Sequence, residues 1–155
     1  MKRLTRVKKV EDINFDELIR RGYRYFLFDF DNTLAPWKES ELPKEKRKIL
    51  EKLSSKARVV IVSNGKPRKV ELPATFIWRA GKPLSFKVWR FLKKEKIDPR
   101  RCVMIGDQLF TDVLMGKILG FHVIKVEPIS QKEFFGTKIL RFFEKILEGR
   151  YDEDG

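Results

Sequence analysis

The sequence predicts an α/β protein: one Rossmann-like domain with a mainly parallel five-stranded sheet and helices on both faces. Two patterns carry this. Apolar runs rich in β-branched and aromatic residues recur at 23–28 (YRYFLF), 58–63 (RVVIVS), 74–78 (ATFIW), 101–106 (RCVMIG) and 121–126 (FHVIKV), and they read as buried strands. Between them, residues 43–54, 83–95 and 109–119 carry apolar positions at intervals of three and four, with Pro43 and Pro83 where a helix would start. Strand and helix alternate, which is the pattern of a parallel sheet covered on both sides.

The bulk properties bound the rest. A chain of 155 residues suffices for one domain with a buried core, expected over residues 1–150, and the acidic tail 151–155 (YDEDG) is expected to be disordered. No apolar run approaches the ~20 residues of a membrane span, and the basic opening MKRLTRVKKV has no apolar segment behind it, so a soluble, cytoplasmic protein is expected. The single cysteine, Cys102, rules out an internal disulfide, and the single histidine, His122, rules out a metal cluster built on histidine. Lys and Arg outnumber Asp and Glu by 35 to 22, a net charge of +13 that suits an anionic partner: a phosphorylated substrate, an anionic membrane surface or RNA.

In an open parallel sheet, reactive groups belong beyond the carboxyl ends of the strands. Polar residues fall there in four segments: Asp29 and Asp31 after the first strand, Ser63 and Asn64 after the second, Lys82 just before Pro83, and Gly106 and Asp107 at the end of the fourth. Two acids one residue apart can divide labour, one attacking phosphorus and the other moving the proton of the leaving oxygen. Phosphoryl transfer also needs donors, a cation and a hard metal ion. Thr33 and Ser63 are hydroxyl donors, Lys82 is a point charge suited to phosphate, and Asp107 with Asp29 can hold magnesium. Taken singly, each has an ordinary reading: Asp29 and Asp31 as solvated loop acids, Ser63-Asn64-Gly65 as a turn, Lys82 as a solvated lysine, Asp112 as a helix-start acid.

Together and in this order, FDFDNTL, VSN, AGKP and GDQLFTD resemble the four motifs of the haloacid dehalogenase (HAD) superfamily of phosphatases. The flanking stretches VEDINFDELIRRGYRYFLFDFDNTLAPW and GDQLFTDVLMGKILGFHVIKVEP resemble its YqeG-like subgroup (subfamily IIIA), which is grouped with mitochondrial phosphatidylglycerophosphate phosphatases; the likeness runs over roughly residues 8–128. The resemblance implies Asp29 as nucleophile, Asp31 as general acid and base whose main-chain carbonyl also reaches the metal, and Thr33 orienting Asp31. It implies Ser63 binding the phosphoryl group, Lys82 holding Asp29 and the phosphate together, Asp107 as a direct ligand of Mg2+, and Asp112 and Asn64 in support. Gln108 also matches the subgroup's wording.

One departure from many relatives concerns the cap that closes over small substrates. About thirty residues separate the first two motifs and fewer than twenty the next two, which leaves no room for a cap domain. An open site favours a large or surface-presented phosphoester, with phosphatidylglycerophosphate a candidate. Trp37 is expected in a surface loop near the site, Trp78 and Trp89 in helix or core packing, and His122 in a structural role. The segment EFFGTKILRFFEKILEGR reads as an amphipathic helix that either covers the sheet or lies on an anionic membrane. The competing function is a basic binding module for RNA or the ribosome with a vestigial phosphatase site. The net charge favours it, and the absence of a recognised RNA motif or aromatic platform opposes it.

Overall fold

The computed structural model describes residues 4–31, 33–35 and 41–129. These residues form one α/β domain. In chain order the elements are β1 (Thr5–Arg6), α1 (Phe15–Arg20), β2 (Tyr25–Phe28), α2 (Lys44–Ser54), β3 (Arg58–Val62), β4 (Thr75–Ile77), α3 (Phe86–Glu95), β5 (Cys102–Gly106), a π-helical turn (Leu109–Val113), α4 (Leu114–Leu119) and β6 (His122–Lys125). Every strand pair is parallel, in the order β1-β6-β5-β2-β3-β4. Trp37, the segment 133–150 and the acidic tail lie outside the described residues.

The sheet has six strands, not the expected five. The additional strand, β1, is two exposed residues that pair with Ile124 and Lys125 at the sheet edge. Two residues carry no periodicity, which is why the pattern passed over them. Short α1 is likewise an addition, started by Asn14, whose side chain accepts from the Glu17 N–H at 3.1 Å. Pro43 does stand at the N-cap of α2, but the helix expected from residue 83 begins at Phe86. Its cap is Ser85, whose Oγ accepts from the Val88 N–H at 3.3 Å. Trp89 is 49% exposed rather than packed inward. His122 lies against the Tyr23 ring at 5.4 Å, with Nε2 3.5 Å from Thr5 Oγ1.

The alternation of side chains along a strand divides the interior into two layers. Phe26 and Phe28 of β2, Val59 and Ile61 of β3, and Val103 and Ile105 of β5 face α1 and α2, meeting Leu18, Leu50 and Leu53. Leu27, Val60, Val62 and Met104 face the other way, meeting Val88 and Leu92 of α3 and Met115 of α4. β2 is central and buried by both layers. The chain runs from β2 outward through β3 and β4 on one side, then returns to β5 on the other side of β2. The reversal of strand order therefore falls beside β2, and the crevice beyond its carboxyl end is where such folds bind ligands.

α4 approaches the sheet closely because Gly116 has no side chain. A Cβ there would lie 2.5 Å from Val123 Cγ2 and 3.3 Å from Met104 Cβ. Gly116→Ala should therefore overpack the α4 layer, and this loss should outweigh the helix propensity that alanine adds. The expected net destabilisation is roughly 1–2 kcal/mol, read as a lower urea midpoint with an unchanged m-value.

Candidate active site

Four parallel strand ends deliver the site. The Asp29 N–H donates to Ile105 O at 2.9 Å, extending the β2–β5 ladder one residue and fixing where the first carboxylate leaves the sheet. The Ser63 N–H does the same on the other side, donating to Ile77 O at 2.9 Å. Asp107 follows β5 directly and is fully buried. Lys82, from the loop after β4, is carried to the centre by Asn64. The Asn64 Oδ1 accepts from the Lys82 N–H at 2.8 Å, and its Nδ2 donates to Lys82 O at 3.3 Å. Asn64 thus acts on the main chain of the lysine, joining the β3 loop to the β4 loop.

The Lys82 ammonium is buried between two carboxylates, donating to Asp29 Oδ1 at 2.8 Å and to Asp112 Oδ1 at 2.6 Å. Asp112 reaches this position because the chain after β5 makes a π turn. The Asp112 and Val113 N–H groups both donate to Gln108 O, and Asp112 Oδ2 accepts from the Gln108 N–H at 3.2 Å. Gly106 leaves the space for it: a Cβ at 106 would stand 2.5 Å from the Asp112 Cβ and Cγ. Burial first, and then the neighbouring Asp112 carboxylate, pushes the Asp29 carboxyl well above its ordinary range, with Lys82 opposing the rise. For Lys82, burial acts to lower the ammonium, but Asp112 and Asp29 outweigh it and hold it above its ordinary value.

One oxygen from each of Asp29, Asp107 and Asp112 lies within 4.8 Å of the others, all three residues being buried. Lys82 forms ion pairs with two of the three, Asp29 and Asp112. Clustered buried carboxylates are costly unless positive charge is brought to them. The donors are all hard oxygens, so the group fits a divalent ion of the magnesium type.

Asp31 sits outside this buried trio. Arg68, from the loop between β3 and β4, grips it as a fork: Nη1 donates to Oδ1 and Nη2 to Oδ2, both at 3.0 Å. Thr33 Oγ1, expected beside Asp31, is buried and makes no hydrogen bond. Ser63 Oγ accepts from the Gly65 N–H at 3.0 Å, which leaves its hydroxyl proton available to donate. Arg68 is the site residue that motif reading passes over, because in the run NGKPRK it is one of several basic residues. Trp78 is the second. Its ring packs as expected against core aromatics, stacking on Phe76 at 5.6 Å and meeting buried Phe30 edge-on at 6.2 Å, and it also meets the Arg68 guanidinium at 5.3 Å.

Two outcomes follow for stability without added metal. Asp29 ionises near 3.8 in an unfolded chain and higher in the fold. The folded state therefore binds its proton more tightly, and the penalty for ionising it, absent below about pH 4, grows as pH rises toward the folded value. Asp29→Asn should thus raise the urea midpoint of the metal-free protein at pH 7, with the gain shrinking at pH 4. Gly106→Ala should instead expel Asp112 from Lys82 and lower stability, since the Cβ has no room while Asp112 stays where it is.

Three comparisons agree with this geometry. A family model described as HAD-hyrolase-like matches residues 79–128. The "Probable phosphatase YqeG" of Bacillus subtilis (strain 168) is 32% identical over 145 residues, covering 90% of this chain and 84% of the relative. A crystal structure of an uncharacterized protein from Listeria monocytogenes serotype 4b superposes with a TM-score of 0.55 at 17% identity, over 72% of this chain and 84% of that one, a likeness of fold. With the matched residues running from Arg79 through Lys82, Asp107 and Asp112, the chain belongs to the YqeG-like phosphatases of the HAD superfamily.

Proposed function

We propose that the protein is a magnesium-dependent phosphomonoesterase that works through an aspartyl phosphate on Asp29, and that its substrate is a large or surface-presented phosphoester such as phosphatidylglycerophosphate. The observation that carries the chemistry is the buried ammonium of Lys82 on Asp29 Oδ1, beside Asp107 and Asp112. A carboxylate and a phosphate dianion repel each other, and a cation fixed between them lowers that barrier without reorganisation.

An Asp29 oxygen attacks phosphorus as the bond from phosphorus to the ester oxygen breaks. Asp31 gives its proton to the leaving oxygen, then takes one from the water that attacks phosphorus and releases phosphate from Asp29. The Ser63 hydroxyl donates to a phosphoryl oxygen. Asn64 keeps Lys82 in register by holding its main chain on both sides. Asp29, Asp107 and the Asp31 main-chain carbonyl would hold Mg2+, which when bound would supply positive charge that favours the ionised form of Asp29 and offsets the phosphate. Asp112 acts through Lys82, to which it is joined at 2.6 Å.

Two features support a large or surface-held substrate. Among the described residues, neither the segment between β2 and α2 nor that between β3 and β4 contains a helix or strand to serve as a cap. Next to Lys82, the stretch 83–90 exposes Leu84, Phe86 and Trp89, with Ile118 of α4 completing an apolar groove. Basic Lys87 and Arg90 interleave with those side chains, a composition suited to an anionic surface. No helix among the described residues is long and apolar enough to cross a membrane.

The test is phosphate release from phosphatidylglycerophosphate in mixed micelles, beside soluble phosphoesters, with and without Mg2+. Asp29→Asn should lose turnover by about 10³-fold or more, in line with removal of a nucleophile. Release from the lipid alone supports the lipid reading, and release from soluble esters alone discards it. No release from any ester, with a salt-sensitive RNA complex, moves the basic binding module to the front. Saturating Mg2+ should also raise the melting temperature, equivalent to about 2.7 kcal/mol at a hundredfold excess over Kd, and Asp107→Asn should remove most of that shift.

A further inference from the structure

Arg68 has no task in the transfer steps above, yet it has the most determined geometry at the rim of the site. Its guanidinium carbon lies 4.7 Å from the Phe30 ring centroid and 5.3 Å from that of Trp78, so two aromatic faces seat the planar fork. Both of its terminal nitrogens point at Asp31, and both side chains of the pair remain 20% exposed. The main chain makes room at Gly65: a Cβ there would lie 3.2 Å from Ser63 Oγ, 3.7 Å from Arg68 Nη2 and 3.9 Å from Asp31 Oδ2. Arg68 therefore stands close to the serine that faces the phosphoryl group, on the open side of the site.

In-line displacement puts the attacking and leaving oxygens on opposite sides of phosphorus. Asp29 attacks from the buried side, so the leaving alcohol lies outward, toward Asp31 and Arg68. As long as the fork covers both Asp31 oxygens, that carboxylate has no clear approach to the leaving oxygen. A guanidinium fork fits phosphate and carboxylate equally well, and a partly exposed pair adds little to stability, so exchange of one anion for another is cheap. The aromatic seat on Phe30 and Trp78 keeps Arg68 at the rim when Asp31 is released.

We propose that Arg68 is a specificity-determining residue that recognises an anionic group carried by the leaving alcohol, exchanging Asp31 for that group as the substrate enters. The substrate class is a phosphomonoester whose alcohol bears a second phosphate or a carboxylate. This rests on the phosphatase reading and narrows it.

The test compares glycerol 1,3-bisphosphate with glycerol 3-phosphate, which share a scissile group but leave anionic and neutral alcohols respectively. Wild type should favour the bisphosphate in kcat/KM by about tenfold or more. Arg68→Met should slow the bisphosphate selectively and reduce the ratio to about two, the statistical value for two equivalent phosphates. Arg68→Lys, which keeps charge without the fork, should fall between. A ratio equal in wild type and Arg68→Met overturns the proposal and leaves Arg68 as a support for Asp31. Binding separates this from failure of the phosphatase reading. In calorimetry, Asp29→Asn should bind the bisphosphate about tenfold more tightly than the monophosphate, and Asp29→Asn with Arg68→Met should not. If wild type cleaves neither ester but this binding contrast holds, the phosphatase reading fails and anion recognition stands. Equal binding of both esters by Asp29→Asn overturns recognition.

Discussion

The buried ammonium of Lys82 is the constraint around which the site is organised. Two carboxylates that would repel each other in a dry interior, Asp29 and Asp112, are joined through it at 2.8 and 2.6 Å. Each comes from a different strand end, and Lys82 comes from a third, so one charge ties three loops together. Removing the lysine from such a cluster leaves uncompensated buried carboxylates, whereas the intact cluster is no great source of stability. Its value is in position. Asn64, gripping the lysine main chain from the β3 loop, brings in the remaining strand end.

The arrangement also explains why the buried acids and the outer acid of the first motif have such different surroundings. Asp29 is sealed among carboxylates, a lysine and strand backbone, and burial drives its proton affinity up. Asp31, two residues on, stands at the rim with a guanidinium on both oxygens. Two neighbouring carboxyl groups are thereby given distinct environments by one turn of chain.

Much of this was legible in the sequence because the chemistry is local. Strand ends, the Asp-x-Asp pair and the glycine before Asp107 occur as short continuous strings, and apolar runs located the five long strands. What escaped was set by contacts distant in sequence or by pieces too short to show a period. β1 is two residues, and α1 is six residues held by an Asn14 cap. Pro83 suggested a helix start, but Ser85 supplies the cap. Arg68 pairs with a residue 37 positions away, and its aromatic seat comes from β2 and β4 loops that no linear pattern joins. Trp89 obeyed helical spacing yet faces outward, since the groove between α3 and α4 stays open there.

The double covering of β2 has a consequence for how this scaffold can change. Phe26 and Phe28 are clamped by one helical layer and Leu27 by the other, so the strand that ends at Asp29 has little freedom to shift. The Asp29 carboxylate is in effect part of the frame. Arg68, Trp78 and the exposed stretch after Lys82 belong to surface segments that the two interiors do not pin in the same way. The buried carboxylate cluster and the exposed rim thereby differ in how tightly the fold holds them, and sequence drift is tolerated more readily in the rim loops than in the frame.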